Sequence, residues 1–283
     1  MIILVTGGAG FIGSHLCEQL SIDKNNNVYS LDNYSTGTKD NHLTLVTYIE
    51  GETRNIDSLI NFMPDIIYHL GEYARVEQSF YDIEKVWRSN KNGIFAVLQF
   101  CRKTKAKLIY AGSSTKFADE GAGADQSPYS WTKSSNTQLV KNYGIWFGLE
   151  YAITYFYNVY GGREISQGKY ATLIALFIEK FKNGEPLTVV SPGIQQRNFT
   201  HIDDIVAGLL LVGKKGDGDE YGIGCDESYS ILEIAKMFGG EIEMLPERQG
   251  NRMGGVVLTE KTQALGWKST KRVKDYIKNM VVK

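Results

Sequence analysis

The sequence predicts an α/β fold, a doubly wound parallel sheet joined to a smaller α/β lobe, on three observations. Strand-like apolar runs alternate with helix-like patterns through about residue 155. The chain opens on a β-branched run, Ile2-Ile3-Leu4-Val5, that feeds directly into a glycine-rich turn. At 283 residues it exceeds the usual size of one hydrophobic core, so two lobes on one continuous chain are expected.

The first element is the most informative. Behind Val5 comes Thr6-Gly7-Gly8-Ala9-Gly10-Phe11-Ile12-Gly13, with glycines at Gly7, Gly10 and Gly13, and then Ser14 to Leu20 at helical spacing. A strand, a glycine turn and a helix in that order present backbone N–H groups and a helix N-terminus to a pyrophosphate. The second strand-like run, Val28 to Leu31, ends at Asp32, nineteen residues beyond Gly13. A carboxylate there can accept hydrogen bonds from adenosine ribose hydroxyls and repels a 2′-phosphate, so NAD is favoured over NADP. Further strands are expected at Thr47–Glu50, Ile66–His69, Lys107–Ala111 and Tyr151–Tyr155. The longest helical patterns, at about Asp82–Cys101 and Tyr129–Gly144, carry apolar residues at three- and four-residue steps along faces long enough to pack in a dimer. After Gly161-Gly162 the helices shorten and glycine turns multiply, as in Gly213-Lys214-Lys215-Gly216-Asp217-Gly218-Asp219. No internal repeat or low-complexity segment occurs.

Composition excludes several classes. Lys plus Arg number 31 against 32 Asp plus Glu, which argues against binding nucleic acid or an anionic membrane. Three distant cysteines, Cys17, Cys101 and Cys225, support neither a disulfide framework nor a zinc site. No apolar stretch approaches the ~20 residues of a membrane span, and the first strand lacks the basic flank of a signal peptide, so a cytoplasmic location is expected.

A second constellation is Tyr129-Ser130-Trp131-Thr132-Lys133, which opens a helix after Ser127-Pro128 and follows the strand ending in Ala111-Gly112-Ser113-Ser114-Thr115. Tyrosine and lysine at this spacing share one helix face, so the ammonium can stabilise the phenolate, which then serves as general base for a sugar or alcohol hydroxyl. On a solvated helix the same pair has no chemical meaning.

The same order of motifs runs through nearly the whole chain. It continues with Leu31-Asp32-Asn33, Gly51-Glu52-Thr53-Arg54, His69-Leu70, Tyr155 to Gly161, Gly184-Glu185-Pro186-Leu187, Gln196 to Ile205, Arg248-Gln249-Gly250 and Leu265-Gly266-Trp267. In these residues the chain resembles the extended short-chain dehydrogenase/reductase family, of the nucleotide-sugar epimerase/dehydratase type and most like UDP-glucose 4-epimerase-like enzymes.

The resemblance implies a Rossmann NAD-binding domain over residues 1–158 plus about 198–212. It implies a nucleotide-sugar-binding lobe over about 159–197 and 213–283. It assigns cofactor contacts to Gly7, Gly10, Phe11, Ile12 and Gly13, to Asp32 and Asn33 at the ribose, and to Glu52 and Thr53 at the adenine. Leu70, Gly71, Asn90, Tyr129 and Lys133 are implied nearer the nicotinamide end. The catalytic set is Tyr129 as base, Lys133, and Ser113 on the reacting sugar oxygen, with Ser114 the competitor for that serine role. Substrate contacts are Ser113, Ser114, Tyr129 and, at the diphosphate, Asn158, Arg197 and Arg248, since arginine forks bind phosphate oxygens bidentately. The partner implied is a nucleotide-diphosphate sugar, a UDP-sugar favoured. A homodimer is implied as well, with Trp87, Ile94, Phe95, Leu98 and Leu139 as contributors to its helical interface. No metal is implied: His69 and His201 read as hydrogen-bonded structural histidines, and Trp267 as core.

The implied reaction is 4-epimerisation through a transient 4-keto sugar, with hydride returned from bound NADH. The resembling 4,6-dehydratases place Thr-Asp-Glu where this chain reads Ser113-Ser114-Thr115, and without those carboxylates dehydration loses its proton-transfer groups. Dehydratase, decarboxylase and keto-sugar reductase remain alternatives, as does, in a different class, a non-catalytic NAD- and nucleotide-sugar-binding regulator. Several positions depart from the family pattern: Lys116-Phe117-Ala118 replaces Val-Tyr-Gly, Trp131 is bulky, and Gly168 to Thr172 occupies a substrate loop. Glu72 and Arg75 are expected either to pair with each other at the surface or to contact an unusual sugar.

Overall fold

The computed structural model describes residues 1–117, 123–247 and 253–281. Among these the chain begins β1 (Ile2–Thr6), α1 (Phe11–Ser21), β2 (Asn27–Asp32), β3 (Val46–Glu50), α2 (Ile56–Leu59), β4 (Ile66–His69), α3 (Ile83–Val86), α4 (Gly93–Thr104), β5 (Lys107–Ala111), α5 (Pro128–Phe147) and β6 (Tyr151–Phe156). It continues β7 (Val159–Tyr160), α6 (Leu173–Lys182), β8 (Leu187–Val190), β9 (Gln196–Asn198), β10 (Thr200–His201), α7 (Ile202–Lys215), β11 (Gly218–Ile223), β12 (Ser228–Ser230), α8 (Ile231–Phe238), β13 (Ile242–Leu245), α9 (Glu260–Ala264) and α10 (Val273–Val281).

The large sheet has the order β3-β2-β1-β4-β5-β6-β11, and all its pairings are parallel. A parallel sheet is covered by helices on both faces, which is why its strands read as near-continuous apolar runs. Successive side chains of β1 take opposite faces. Ile3 and Val5 pack with Leu16, Leu20, Ile205 and Leu209 beneath α1 and α7. Leu4 packs with Leu31, Ile67, Leu98 and Val140 beneath α4 and α5. Each such buried aliphatic side chain contributes about 1.5–3 kcal/mol. Strand order reverses between β1 and β4, the two strands whose last paired residues are Thr6 and His69. The crevice at that reversal is where an open α/β sheet binds its ligand.

The smaller lobe has its own core, in which Phe177, Leu187, Val189, Ile234, Phe238 and Ile277 meet. Three two-stranded pairings tie it together: β8 with β13, β9 with β12, and β7 with β10. Trp267 belongs to the core under α1, as expected, and its indole N–H donates to the Asp204 carbonyl at 2.8 Å. His201 caps α7, its Nδ1 accepting from the Asp203 N–H at 3.1 Å.

Three features differ from the sequence reading. The large sheet runs beyond Val212: β11 pairs parallel with β6, so residues 218–223, expected in the smaller lobe, complete the large sheet. Its strand character was hidden by Gly218, Asp219 and Glu220, where the register shifts and Glu220 takes a φ of +78°. The helical pattern of Asp82–Cys101 is three pieces, because a π turn over Trp87–Asn92 joins α3 to α4. Ile94 and Leu98 are fully buried against the sheet, so they serve no surface contact. Of the five residues named for a dimer face, Trp87 and Phe95 are well exposed, and Leu139 is half-buried against the same core.

Candidate active site

The glycine turn is built by close approach. A Cβ on Gly13 would lie 2.1 Å from the Gly7 carbonyl oxygen, and one on Gly7, at φ +75°, would lie 2.9 Å from Gly71. Only bare backbone lets the turn fold this tightly against α1. Phe11 and Ile12 open α1 and pack on the core below it. Leu70 and Gly71 dock on the same turn: the Leu70 N–H donates to the Thr6 carbonyl at 3.2 Å, and the Gly71 N–H to Thr6 Oγ1 at 3.0 Å.

Asp32 ends β2 and is 7 % exposed. Its Oδ2 accepts from the Ala9 N–H at 2.9 Å and its Oδ1 from the Tyr34 N–H at 2.8 Å. Burial pushes its carboxyl up and these backbone donors oppose the push. Each oxygen keeps a lone pair, which suits a diol. Asn33 is exposed beside it, its Oδ1 accepting from Ser35 N–H. Glu52 is bonded to the guanidinium groups of Arg88 and Arg54, which hold its carboxyl below the usual range, while Thr53 beside it is buried. Asn90, in the π turn, is fully buried. Its Oδ1 accepts from Tyr73 N–H at 2.7 Å, and its Nδ2 donates to the Tyr73 carbonyl and Thr132 Oγ1. Asn90 therefore braces the loop after β4 against α5.

The residues expected to form the catalytic set meet at the carboxyl end of β5. Ser127 caps α5 by accepting from the Ser130 N–H, and Pro128 fixes the first turn, which sets Tyr129 over the strand end. The Tyr129 hydroxyl donates to Ser113 Oγ at 3.1 Å. Ser113 also meets Thr115 Oγ1 at 2.9 Å. Of the two serine candidates, Ser113 is thus the one that meets Tyr129, whereas Ser114 lines the neighbouring cleft with Tyr157, Asn158, Arg197 and Asn198. Asn158 takes a φ of +36° there, and its Nδ2 donates to the Asn198 carbonyl at 3.0 Å. The Arg197 guanidinium donates to the Gln196 carbonyl at 2.8 Å. Arg248 lies outside the described residues.

Lys133 sits one helical turn below Tyr129 and is buried. Its ammonium is bonded to Glu72 Oε2 at 2.5 Å and to the Ala111 carbonyl. This corrects the surface expectation for Glu72, whose side chain is 3 % exposed and whose partners are Lys133, Tyr110 and Asn136. Arg75 is separate: its Nε and Nη2 donate to the Tyr170 carbonyl. Glu72 stands next to the strand-end His69-Leu70, and its burial depends on groups up to 64 residues away, so no local pattern shows that it is buried or that Lys133 is its partner. Asp82 and Tyr170 join across the rim of the cleft at 2.8 Å; Tyr170 lies in the expected substrate loop, and its pairing with a residue 88 positions away has no local signal. Among the described residues no cluster of His, Cys, Asp or Glu is arranged to hold a metal ion.

The model of the NAD dependent epimerase/dehydratase family matches residues 3–224. The chain belongs to that family. A putative UDP-glucose 4-epimerase of Methanocaldococcus jannaschii is 30 % identical over 99 % of this chain and 97 % of its own length. UDP-glucuronic acid decarboxylase 5 of Arabidopsis thaliana is 28 % identical over 97 % of this chain and 86 % of its own. In structure, the chain is similar to the Thermus thermophilus UDP-glucose 4-epimerase in complex with NAD, with a TM-score of 0.89 and 26 % identity over 100 % of this chain and 98 % of that one. The epimerase/dehydratase fold, a Rossmann-type parallel sheet, is the one the sequence predicted. The family's dinucleotide fits this chain, because the crowded glycine turn and the Asp32 lone pairs supply a pyrophosphate cradle and a ribose acceptor.

Proposed function

We propose that this chain is an NAD-dependent nucleotide-sugar 4-epimerase acting on a nucleotide-diphosphate sugar, a UDP-sugar favoured. The observation that carries the reading is the Tyr129 hydroxyl 3.1 Å from Ser113 Oγ at the carboxyl end of β5. One sugar hydroxyl placed between them meets a base and a hydrogen-bond partner together. Ser114 and Thr115 follow Ser113, so neither position offers the carboxylate that water elimination requires.

In this reading Gly7, Gly10 and Gly13 cradle the pyrophosphate, with Phe11, Ile12, Leu70 and Gly71 beside it. Asp32 and Asn33 hold the adenosine ribose, Glu52 and Thr53 flank the adenine, and Asn90 and Lys133 order the nicotinamide side. NAD, when bound, accepts the hydride from the sugar carbon and returns it. Tyr129 takes the hydroxyl proton and later gives it back, and Ser113 keeps the sugar oxygen in reach. Asn158, Arg197 and Arg248 grip the diphosphate, so the nucleotide stays anchored while the sugar turns.

An outward aromatic face on the π turn, α4 and α5 supports a homodimer. Trp87 and Trp131 stack there at 5.7 Å, and Phe95 and Trp146 are exposed. No helix among the described residues is long and apolar enough to cross a membrane, and the enzyme is proposed as cytoplasmic.

Incubation with UDP-, GDP-, dTDP- and CDP-sugars, read by mass and sugar NMR, tests the reaction. An epimer keeps its mass; loss of water or of carbon dioxide would replace the reading with a dehydratase or a decarboxylase. Tyr129→Phe is expected to abolish turnover while sparing NAD binding, and a variant that still epimerises would remove Tyr129 from its role. Light scattering that finds only monomer at micromolar concentration would remove the dimer.

A further inference from the structure

We propose that the sugar taken into this cleft is a hexuronate, and that Arg75 is the residue that selects it, its guanidinium binding the C6 carboxylate. The inference rests on the reading that the cleft holds a nucleotide sugar with its 4-hydroxyl at Tyr129.

Arg75 is half-buried and has no counter-charge. Its Nε and Nη2 donate to the Tyr170 carbonyl at 3.0 and 2.5 Å, and its Nη1 donates to the Ala74 carbonyl at 2.9 Å. A guanidinium has five N–H donors, so one on Nη1 and one on Nη2 remain. All three bonds go to neutral carbonyls, and among the described residues no carboxylate pairs with Arg75. Glu72 is bonded to Lys133 instead, and Glu164, whose charge also acts on Arg75, gives its oxygens to the Thr172 hydroxyl and the Gly161 N–H. A guanidinium drawn out of water without a partner anion is costly. Burial accordingly pulls Arg75 below the ordinary arginine value, against Tyr129, Tyr73, Tyr170 and Glu164. An incoming carboxylate relieves that cost and can take both free N–H groups at once.

The place of Arg75 selects the reacting end of the sugar, not the diphosphate. It is not among the residues that line the cleft with Asn158 and Arg197. It stands two residues after Tyr73, whose N–H donates to Asn90 Oδ1 at 2.7 Å. Asn90 Nδ2 donates to Thr132 Oγ1 at 3.2 Å, and the Thr132 hydroxyl donates to the Tyr129 carbonyl at 2.8 Å. These bonds staple the loop that carries Arg75 to the first turn of α5, and Tyr129 is the group that acts most strongly on the Arg75 charge. The Tyr170 carbonyl ties the same guanidinium to the loop over residues 164–172. In a hexose with its 4-hydroxyl at Tyr129, the neighbouring substituents are the 3-hydroxyl and C6. Only C6 can carry a full negative charge, as the carboxylate of a hexuronate. The neutral hydroxymethyl group of a plain hexose leaves the arginine unpaired.

Calorimetric titration of the full chain carrying Tyr129→Phe, saturated with NAD so that no sugar turns over, tests the inference. UDP is titrated first, then UDP-glucuronate and UDP-galacturonate against UDP-glucose and UDP-galactose. The hexuronates are expected to bind about ten- to hundredfold tighter than the hexoses, the scale of a charge-assisted bond. Adding Arg75→Gln is expected to bring that ratio to within about threefold of one. Arg75→Lys keeps the charge and loses the fork, and is expected to retain a ratio of about three- to tenfold. If Arg75 only braced Tyr170, its loss would weaken all four sugars alike, so a ratio unmoved in Arg75→Gln overturns the proposal. Equal or tighter binding of the hexoses with Arg75 intact overturns it without any change at Arg75. Failure of UDP itself to bind removes the nucleotide reading and the proposal with it. Because no turnover is measured, a UDP-hexuronate preference stands whether or not the natural chain proves to be an epimerase, which the product analysis tests separately.

Discussion

Two carboxylates, one on the floor of the cleft and one at its rim, receive the same kinds of partner and come to different uses. Glu72 accepts from the Tyr110 hydroxyl and the Lys133 ammonium. Asp82 Oδ2 accepts from the Tyr73 hydroxyl at 3.0 Å, the Tyr170 hydroxyl at 2.8 Å and the Lys169 ammonium at 3.0 Å. Both carboxyls are held below their usual range, Asp82 chiefly by Tyr170 and Lys169. The partners differ in burial: the Lys133 side chain is 5 % exposed, and that of Lys169 is 48 % exposed. Water can replace Lys169 at Asp82, and nothing can replace Lys133 at Glu72. The floor contact is therefore an obligatory pair. The rim contact is a tether between the loop before α3 and the segment before α6, reinforced by Arg75 on the Tyr170 carbonyl.

The largest expected effect follows from that difference. Glu72→Ala leaves the Lys133 ammonium buried without its counter-charge, and breaking such a pair from one side costs about 3–5 kcal/mol. Urea unfolding at neutral pH measures it. Because the folded carboxyl is held below its unfolded value, the stability it contributes is present above about pH 4.3 and lost as pH falls through the lower folded value. The gap between natural chain and variant should therefore close in acid. A loss below about 1 kcal/mol at neutral pH would place Glu72 with the surface pairs.

A third carboxyl sharpens the comparison, because its bonded partners are uncharged. Glu164 accepts from the Thr172 hydroxyl at 2.6 Å and the Gly161 N–H at 2.8 Å. Burial raises its pKa to about 7, against the pull of those donors and of Arg75. A carboxyl raised on folding contributes stability that is full below about pH 4.3 and lost as pH rises through about 7. Glu164→Gln should flatten that decline and be more stable than the natural chain at pH 8 by on the order of 2 kcal/mol. Thermal unfolding between about pH 4.5 and 8 decides it; parallel curves for the two proteins would mean that Glu164 is ionised in the fold.

What was legible in the sequence was what is local. Runs such as Ile2 to Val5 and Ile66 to His69 announce buried strands by composition, and Tyr129 and Lys133 share a face by helical geometry alone. Gly13 was legible because nothing larger fits against Gly7. Glu72 was not, since its burial is decided by Lys133 on α5, 61 residues on. Ile94 and Leu98 were assigned to a surface because an apolar stripe does not say whether it meets a sheet or a second chain. β11 was missed because a strand with glycine and acids at its start has no apolar alternation to show.

The smallest expected effect is at the rim. Asp82→Asn keeps an acceptor for the Tyr73 and Tyr170 hydroxyls and loses only the attraction for Lys169 and, 3.6 Å away, Lys85. If the tether orders the segment before α6 over the sugar, its loosening raises KM for the nucleotide sugar by about two- to fivefold, the scale of an exposed pair, and leaves kcat nearly unchanged. Because exposed charges are screened, raising the salt should move the natural chain toward the variant and leave the variant itself almost unmoved. Glu72 lacks this salt response, because water and ions do not reach its pair. A fall of kcat in Asp82→Asn, or a KM that ignores salt in both proteins, would show that the rim carboxylate belongs with the floor: a fixed part of the reaction centre instead of a tether across its mouth.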